Sequence, residues 1–123
     1  MAKIESNTVQ ALLPLPLSMF HMLLALSDGE RHGYALKREI LRRTNGKLNL
    51  GSGALYGSIS RMLDQGLIEE SEERPDLHLD DERRRYYRLT GLGQTVLSAE
   101  LERLDAAVSS ARALGLLPHR GRS

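Results

Sequence analysis

Arginine and lysine are the residues of this chain whose grouping could do chemistry, and that chemistry is phosphate contact. Between Arg31 and Arg43 stand five bases (Arg31, Lys37, Arg38, Arg42 and Arg43) against the single acid Glu39. From Glu69 to Glu82 the sign reverses, with eight acids (Glu69, Glu70, Glu72, Glu73, Asp76, Asp80, Asp81 and Glu82) against one base, Arg74. Arg83, Arg84, Arg85 and Arg88 follow at once. A formal net charge of +1 hides this banding. Basic bands attract polyanions. The competing reading of any single band is solvated charge on a helix or loop.

Other chemistries lack their residues. The histidines His21, His32, His78 and His119 share no ligand spacing, and His78 with Asp80 and Asp81 reads as a solvated acidic loop before it reads as a metal site. No nucleophile, base and orienting group occur together, and Gly51-Ser52-Gly53 lacks the lysine of a phosphate-binding loop. With no cysteine there is neither a disulfide framework nor a thiolate metal site. The expectation is therefore no catalytic residue, no metal and no cofactor. No apolar run approaches the roughly 18 residues of a membrane span, and Met1 to Asn7 lacks the layout of a secretory signal. The expected location is the cytoplasm, away from membrane.

The elements that must position the charges follow from periodicity. At 123 residues and 41% hydrophobic, the chain supports one modest core, or one core and an appended helix. Residues 1–14 read as a weakly patterned arm. Residues 15–27 are apolar almost all round, with Pro16 in the first turn, and predict a central helix ended by Ser27-Asp28-Gly29. A second helix spans about His32 to Thr44, with Tyr34, Leu36, Ile40 and Leu41 on one side and Lys37, Arg38, Arg42 and Arg43 on the other. Lys47 to Leu50 is a connection with room for one extended pair. Ser52 is a natural N-cap for a third helix to about Gln65, which would bury Leu55, Ile59, Met62 and Leu63 and stop at Gly66. The segments 67–71 and 85–89 predict an antiparallel hairpin around an acidic loop. Thr90 caps a last helix from Gly91 to about Leu114.

Three helices, a two-stranded ribbon and a long helix describe a mainly α fold with a small β-hairpin: a winged helix-turn-helix with a C-terminal extension. The expected division is an arm at 1–14, a winged domain at 15–90, a dimerisation helix at 91–116 and a tail at 117–123. Four strings sharpen this. His32-Gly33-Tyr34-Ala35-Leu36 opens the second helix, Gly53-Ala54-Leu55-Tyr56-Gly57 opens the third, and Arg61-Met62-Leu63-Asp64-Gln65-Gly66-Leu67-Ile68 closes it. Arg84-Arg85-Tyr86-Tyr87-Arg88-Leu89-Thr90 and Gly93 follow. In this order and spacing they resemble the PadR family of bacterial transcriptional regulators, over about residues 14–97, in its compact form with one C-terminal helix. Ala54 stands where that family usually has Thr, and Gly57 where it usually has Pro. The acidic segment between the hairpin strands is longer than is common there.

The resemblance implies double-stranded DNA as partner, with the third helix in the major groove and its first turns at the base edges. Its solvent side is expected to hold Ser52, Gly53, Ala54, Tyr56, Gly57, Ser58, Ser60 and Arg61. The small residues let the helix approach closely, while Tyr56 and Arg61 offer phosphate donors. Lys37 and Arg38 are candidates for backbone contact. Arg83, Arg84 and Arg85 are candidates for a minor groove or phosphates, in competition with Glu69, Glu70, Glu72 and Glu73 across the hairpin. Leu97, Leu101, Leu104, Val108 and Ala111 follow the 4-3-4-3 spacing of a coiled-coil seam and point to a homodimer on a near-palindromic site; packing on the helix's own domain is the alternative. The resemblance also implies release by a small-molecule effector, although a chain with no Trp and one Phe supplies an aromatic pocket poorly. The competing function is a winged-helix module that binds protein through its acidic wing.

Overall fold

The computed structural model describes residues 6–71 and 85–119. In chain order the elements are α1 (Ser6–Ala11), α2 (Leu17–Leu26), β1 (Arg31–His32), α3 (Gly33–Arg43), α4 (Ser52–Asp64), β2 (Ile68–Glu70), β3 (Tyr86–Leu89) and α5 (Gly91–Ala113). The expected mainly α fold with a small hairpin is present. Helix ends agree with the sequence expectation to within the residue or two that fraying allows.

Local chemistry explains most boundaries. Pro16 holds φ −56° before α2 and leaves its carbonyl to accept from Phe20 N–H at 2.9 Å. His32 caps α3 through Nδ1, which accepts from Ala35 N–H at 3.1 Å. Thr90 caps α5, its hydroxyl oxygen accepting from Gly93 N–H at 3.0 Å while donating to the Gly66 carbonyl. Gly66, at φ +76°, ends α4 as expected, in the left-handed conformation that lets the chain turn into β2.

Met19, Met22, Leu23, Ala25 and Leu26 of α2 lie at the centre of the core. Leu36 and Ile40 of α3, Leu55, Ile59 and Met62 of α4, Ile68, Tyr87, Val96 and Leu97 close round them. Burying side chains of this size contributes roughly 1.5–3 kcal/mol each, which is why α2 must be apolar on nearly every side. Leu63, expected on the buried face, is half-buried against its edge.

Three expectations need correction. The arm at 1–14 contains a helix, α1, whose Val9 is buried in the core. The extended pairing placed at Lys47 to Leu50 is made instead by Arg31–His32, which adds a third strand in the order β1-β3-β2 with Arg31 opposite Tyr87 and His32 opposite Tyr86. Residues 47–50 join no strand: Leu48 N–H is held by the Thr44 hydroxyl at 3.0 Å and Leu50 is drawn into the core. The cap of α4 is Gly51, which takes the extended conformation (φ −74°, ψ 168°), so Ser52 is already the first helical residue.

Candidate nucleic-acid interface

Helix α4 turns Leu55, Ile59 and Met62 inward. At about 100° per residue the opposite side then carries Gly53, Ala54, Gly57, Ser60 and Arg61, and these are exposed, as is Ser52. Tyr56 and Ser58, expected on the solvent side, are half-buried, because both sit at the flanks of the stripe. Tyr56 packs on the core beside Gly33 at the start of α3. Ser58 Oγ lies 3.2 Å from Ser18 Oγ of α2. What remains outward is a nearly side-chain-free surface over the first two turns, followed by one guanidinium.

The basic band of α3 splits into two groups. Glu39, with 14% of its side chain exposed, receives Arg42 Nη2 at 2.5 Å and Arg43 Nε at 2.6 Å, and Arg31 Nη2 lies 4.0 Å away. Arg43 and Arg31 also pair with Asp28, each at 3.2 Å. The hydrogen bonds from Arg42 and then Arg43, with the charge of Arg31, hold the Glu39 carboxyl down at about 2. Arg42 is raised by the same bond. Three of the five bases are thus fastened to acids of their own domain. Lys37 is half-buried and Arg38 exposed, and Arg38 stands 5.7 Å over the Tyr34 ring.

The hairpin register puts Glu69 opposite Arg88. Arg88 Nε pairs with Glu69 at 2.8 Å and Arg85 Nη1 with Glu70 at 3.5 Å, both solvent-exposed. Pairing across the ribbon therefore engages Arg85, as the sequence anticipated, and Arg88, which it did not single out. Arg83, Arg84, Glu72, Glu73 and the acidic segment 76–82 lie outside the described residues.

The stripe on α5 divides at its first member. Leu97 is 4% exposed and belongs to the chain's own core, because α5 lies on α2 and β3 there. Leu101 is 40% exposed, and Leu104, Val108 and Ala111 are half-buried. Between them the sequence hid a charged residue in the interior. Glu100 is 3% exposed, with Oε2 accepting the Leu15 N–H at 3.1 Å and Arg103 bridging both carboxylate oxygens at 2.7 and 3.1 Å. The bonds from Arg103 and Leu15 hold its carboxyl below the usual carboxylate range against the opposing effect of burial. An i,i+3 pair with Arg103 was legible; burial of the acid was not. Among the described residues, no group of three or more potential ligands is placed to hold a metal ion, and no helix is long and apolar enough to cross a membrane.

The transcriptional regulator PadR-like family model matches residues 22–99, from the middle of α2 into α5. The chain belongs to that family. An uncharacterised protein of Lysinibacillus sphaericus is 31% identical over 77 residues, 63% of this chain and 68% of its own length. Among solved structures, a PadR family transcription regulator from Clostridium difficile superposes with a TM-score of 0.65 at 19% identity, over 80% of this chain and 98% of that one. Bacillus subtilis PadR in complex with operator DNA superposes with a TM-score of 0.60 at 20% identity, over 72% of this chain. The regulator spans only 48% of that longer protein. The family is one of transcription regulators, not enzymes.

Proposed function

We propose that this PadR-like regulator binds double-stranded DNA as a homodimer and represses transcription from a near-palindromic operator. The observation that carries the reading is the exposed face of α4, where Ser52, Gly53, Ala54 and Gly57 present almost bare backbone ahead of Arg61. A helix with that surface approaches base edges closely, and its guanidinium reaches phosphate or guanine. Tyr56 and Ser58 border the contact, Lys37 and Arg38 meet the backbone beside it, and Arg83, Arg84 and Arg85 are assigned further phosphate contacts. The DNA complex of the Bacillus subtilis relative supports this choice of partner. Within the chain we assign 15–90 to DNA and 91–116 to self-association, with 1–14 an arm that packs α1 on the domain through Val9 and 117–123 a tail. The location that goes with this reading is the cytoplasm.

The seam we assign to the dimer is Leu101, Leu104, Val108 and Ala111, of which Leu101 is exposed and the other three half-buried, none of them in the chain's own core. Release of DNA by a small molecule, which the family resemblance implies, completes the reading and is read by titrating phenolic compounds into the complex. Retarded migration of DNA fragments flanking the gene, lost on Arg61→Ala and weakened steeply by salt, tests the DNA partner. If no flanking fragment binds even at low salt, the protein-binding module takes its place. For the dimer, sedimentation of a Leu101→Asp, Leu104→Asp variant should give half the wild-type mass. An unchanged mass would refute the seam.

A further inference from the structure

Glu100 marks the point where α5 leaves the domain. Gly93, Val96, Leu97 and Glu100 are the buried residues of this helix, and none from Leu101 onward is buried. An ionised carboxylate in the interior is unfavourable unless every oxygen is partnered, and an apolar side chain would fill the site without that demand. What the carboxylate adds is a fixed connection, to Arg103 on its own helix and to the Leu15 N–H on the segment entering α2. Pro16 follows, its ring fixing φ at −56°. Two residues further on, Ser18 Oγ meets Ser58 Oγ on α4 at 3.2 Å. A short, continuous series of bonds therefore joins the root of the projecting helix to the flank of the reading helix.

We propose that Glu100, braced by Arg103, is a positioning residue that sets the angle between α5 and α4, and through it the half-site spacing a dimer accepts. The inference rests on the dimeric DNA-binding reading above. Its leverage comes from length. From Leu101 to Ala113 the helix extends for about 20 Å at ~1.5 Å per residue. A tilt of about 10° at Glu100 displaces the far end by about 3.5 Å, comparable to the ~3.4 Å advance per base along one strand. An error of that size moves each reading helix by a base-pair step while leaving every DNA-facing side chain in place.

The test uses the full chain and duplexes carrying the two half-sites of a site selected with the wild-type protein, with the spacer lengthened or shortened by one base pair. Fluorescence anisotropy reads affinity, sedimentation reads the dimer, and hydrogen exchange at the Leu15 amide reads the bond itself. Glu100→Leu should remain a dimer, expose the Leu15 amide to exchange, and lose on the order of ten-fold of its discrimination between spacers. Its salt dependence should stay at the wild-type slope, since no phosphate contact is removed. Glu100→Gln keeps an acceptor for Leu15 and should retain most of the discrimination. Should Glu100→Leu fail to fold, Ser18→Ala interrupts the same series at its other end and should also blur the spacing. A uniform loss over all spacers, or unchanged discrimination once the Leu15 amide exchanges freely, overturns the proposal. A wild-type protein that binds no duplex of any spacing removes the regulator reading and this inference with it, whereas spacing-selective wild type with equally selective variants removes the inference alone.

Discussion

Gly33 and Tyr56 interlock: a methyl group added at Gly33 would lie 2.7 Å from the Tyr56 hydroxyl oxygen and 3.0 Å from two of its ring carbons. The glycine that opens α3 and the tyrosine in the first turns of α4 thus form one contact, although they belong to separate sequence strings. Overpacking of a closely packed site commonly costs about 1–3 kcal/mol, so Gly33→Ala should lower the urea midpoint accordingly. In a Tyr56→Ala background the same change should be nearly free. Tyr56→Phe should relieve it only in part, since the two ring carbons remain. A double-mutant cycle with no coupling would show that the ring simply swings aside.

Gly93 is constrained by backbone. A Cβ there would fall 2.9 Å from the carbonyl carbon of Leu67 and closer still to its oxygen. Neither atom can rotate away, because Leu67 is buried and its carbonyl accepts from Thr90 N–H at 3.1 Å. Gly93→Ala should therefore destabilise by about 3 kcal/mol or more, despite the better helix propensity of alanine. A denaturation midpoint within error of wild type would contradict the packing of α5 on the Leu67 backbone just before β2.

Acid should loosen the α3 region first. The Glu39 carboxyl is depressed from 4.5 to about 2, chiefly by hydrogen bonds from Arg42 and Arg43. A depressed carboxyl contributes stability that is present above its unfolded value and lost as pH falls through the folded one. The loss should run between about pH 4.5 and about pH 2. Glu100, lowered in the same direction by Arg103 and Leu15, adds to the slope. Comparing urea midpoints at pH 6 and pH 3, Glu39→Gln should show a smaller acid shift than wild type. An equal shift in both proteins would place the acid sensitivity elsewhere.

The arginines of α3 should differ in their effect on DNA. Lys37 and Arg38 carry no ion pair among the described residues, whereas Arg42 is held on Glu39. Lys37→Ala and Arg38→Ala should each lower the slope of log affinity against log salt by about 1. Arg42→Ala, although its side chain is 70% exposed, should change the slope much less. Equal effects from Arg38 and Arg42 would mean that DNA phosphate displaces Glu39.

Near-neighbour chemistry was legible in the order of residues. The Thr90 cap, the Gly66 stop, the inward set Leu55, Ile59 and Met62, and the hairpin of β2 and β3 depend on residues a few positions apart, so periodicity and capping chemistry specify them. The four strings that mark the family, and the small outward face of α4, were readable for the same reason. Even the Glu39 pairs with Arg42 and Arg43 lie at helical spacing.

Only the tertiary structure decided which of those basic residues remain available. The Asp28 bond to Arg43, the placement of β1 against β3, and the half-burial of Tyr56 and Ser58 arise from segments brought together by the core. So does the bond from Leu15 to Glu100, 85 residues apart, which places a charge inside the domain and leaves Leu97 on its near side. Periodicity reports which side of a helix is apolar, but not which other segment that side will meet. Among the described residues, the basic band of α3 therefore resolves into Arg31, Arg42 and Arg43, which pair with Asp28 and Glu39, and Lys37 and Arg38, which make no ion pair.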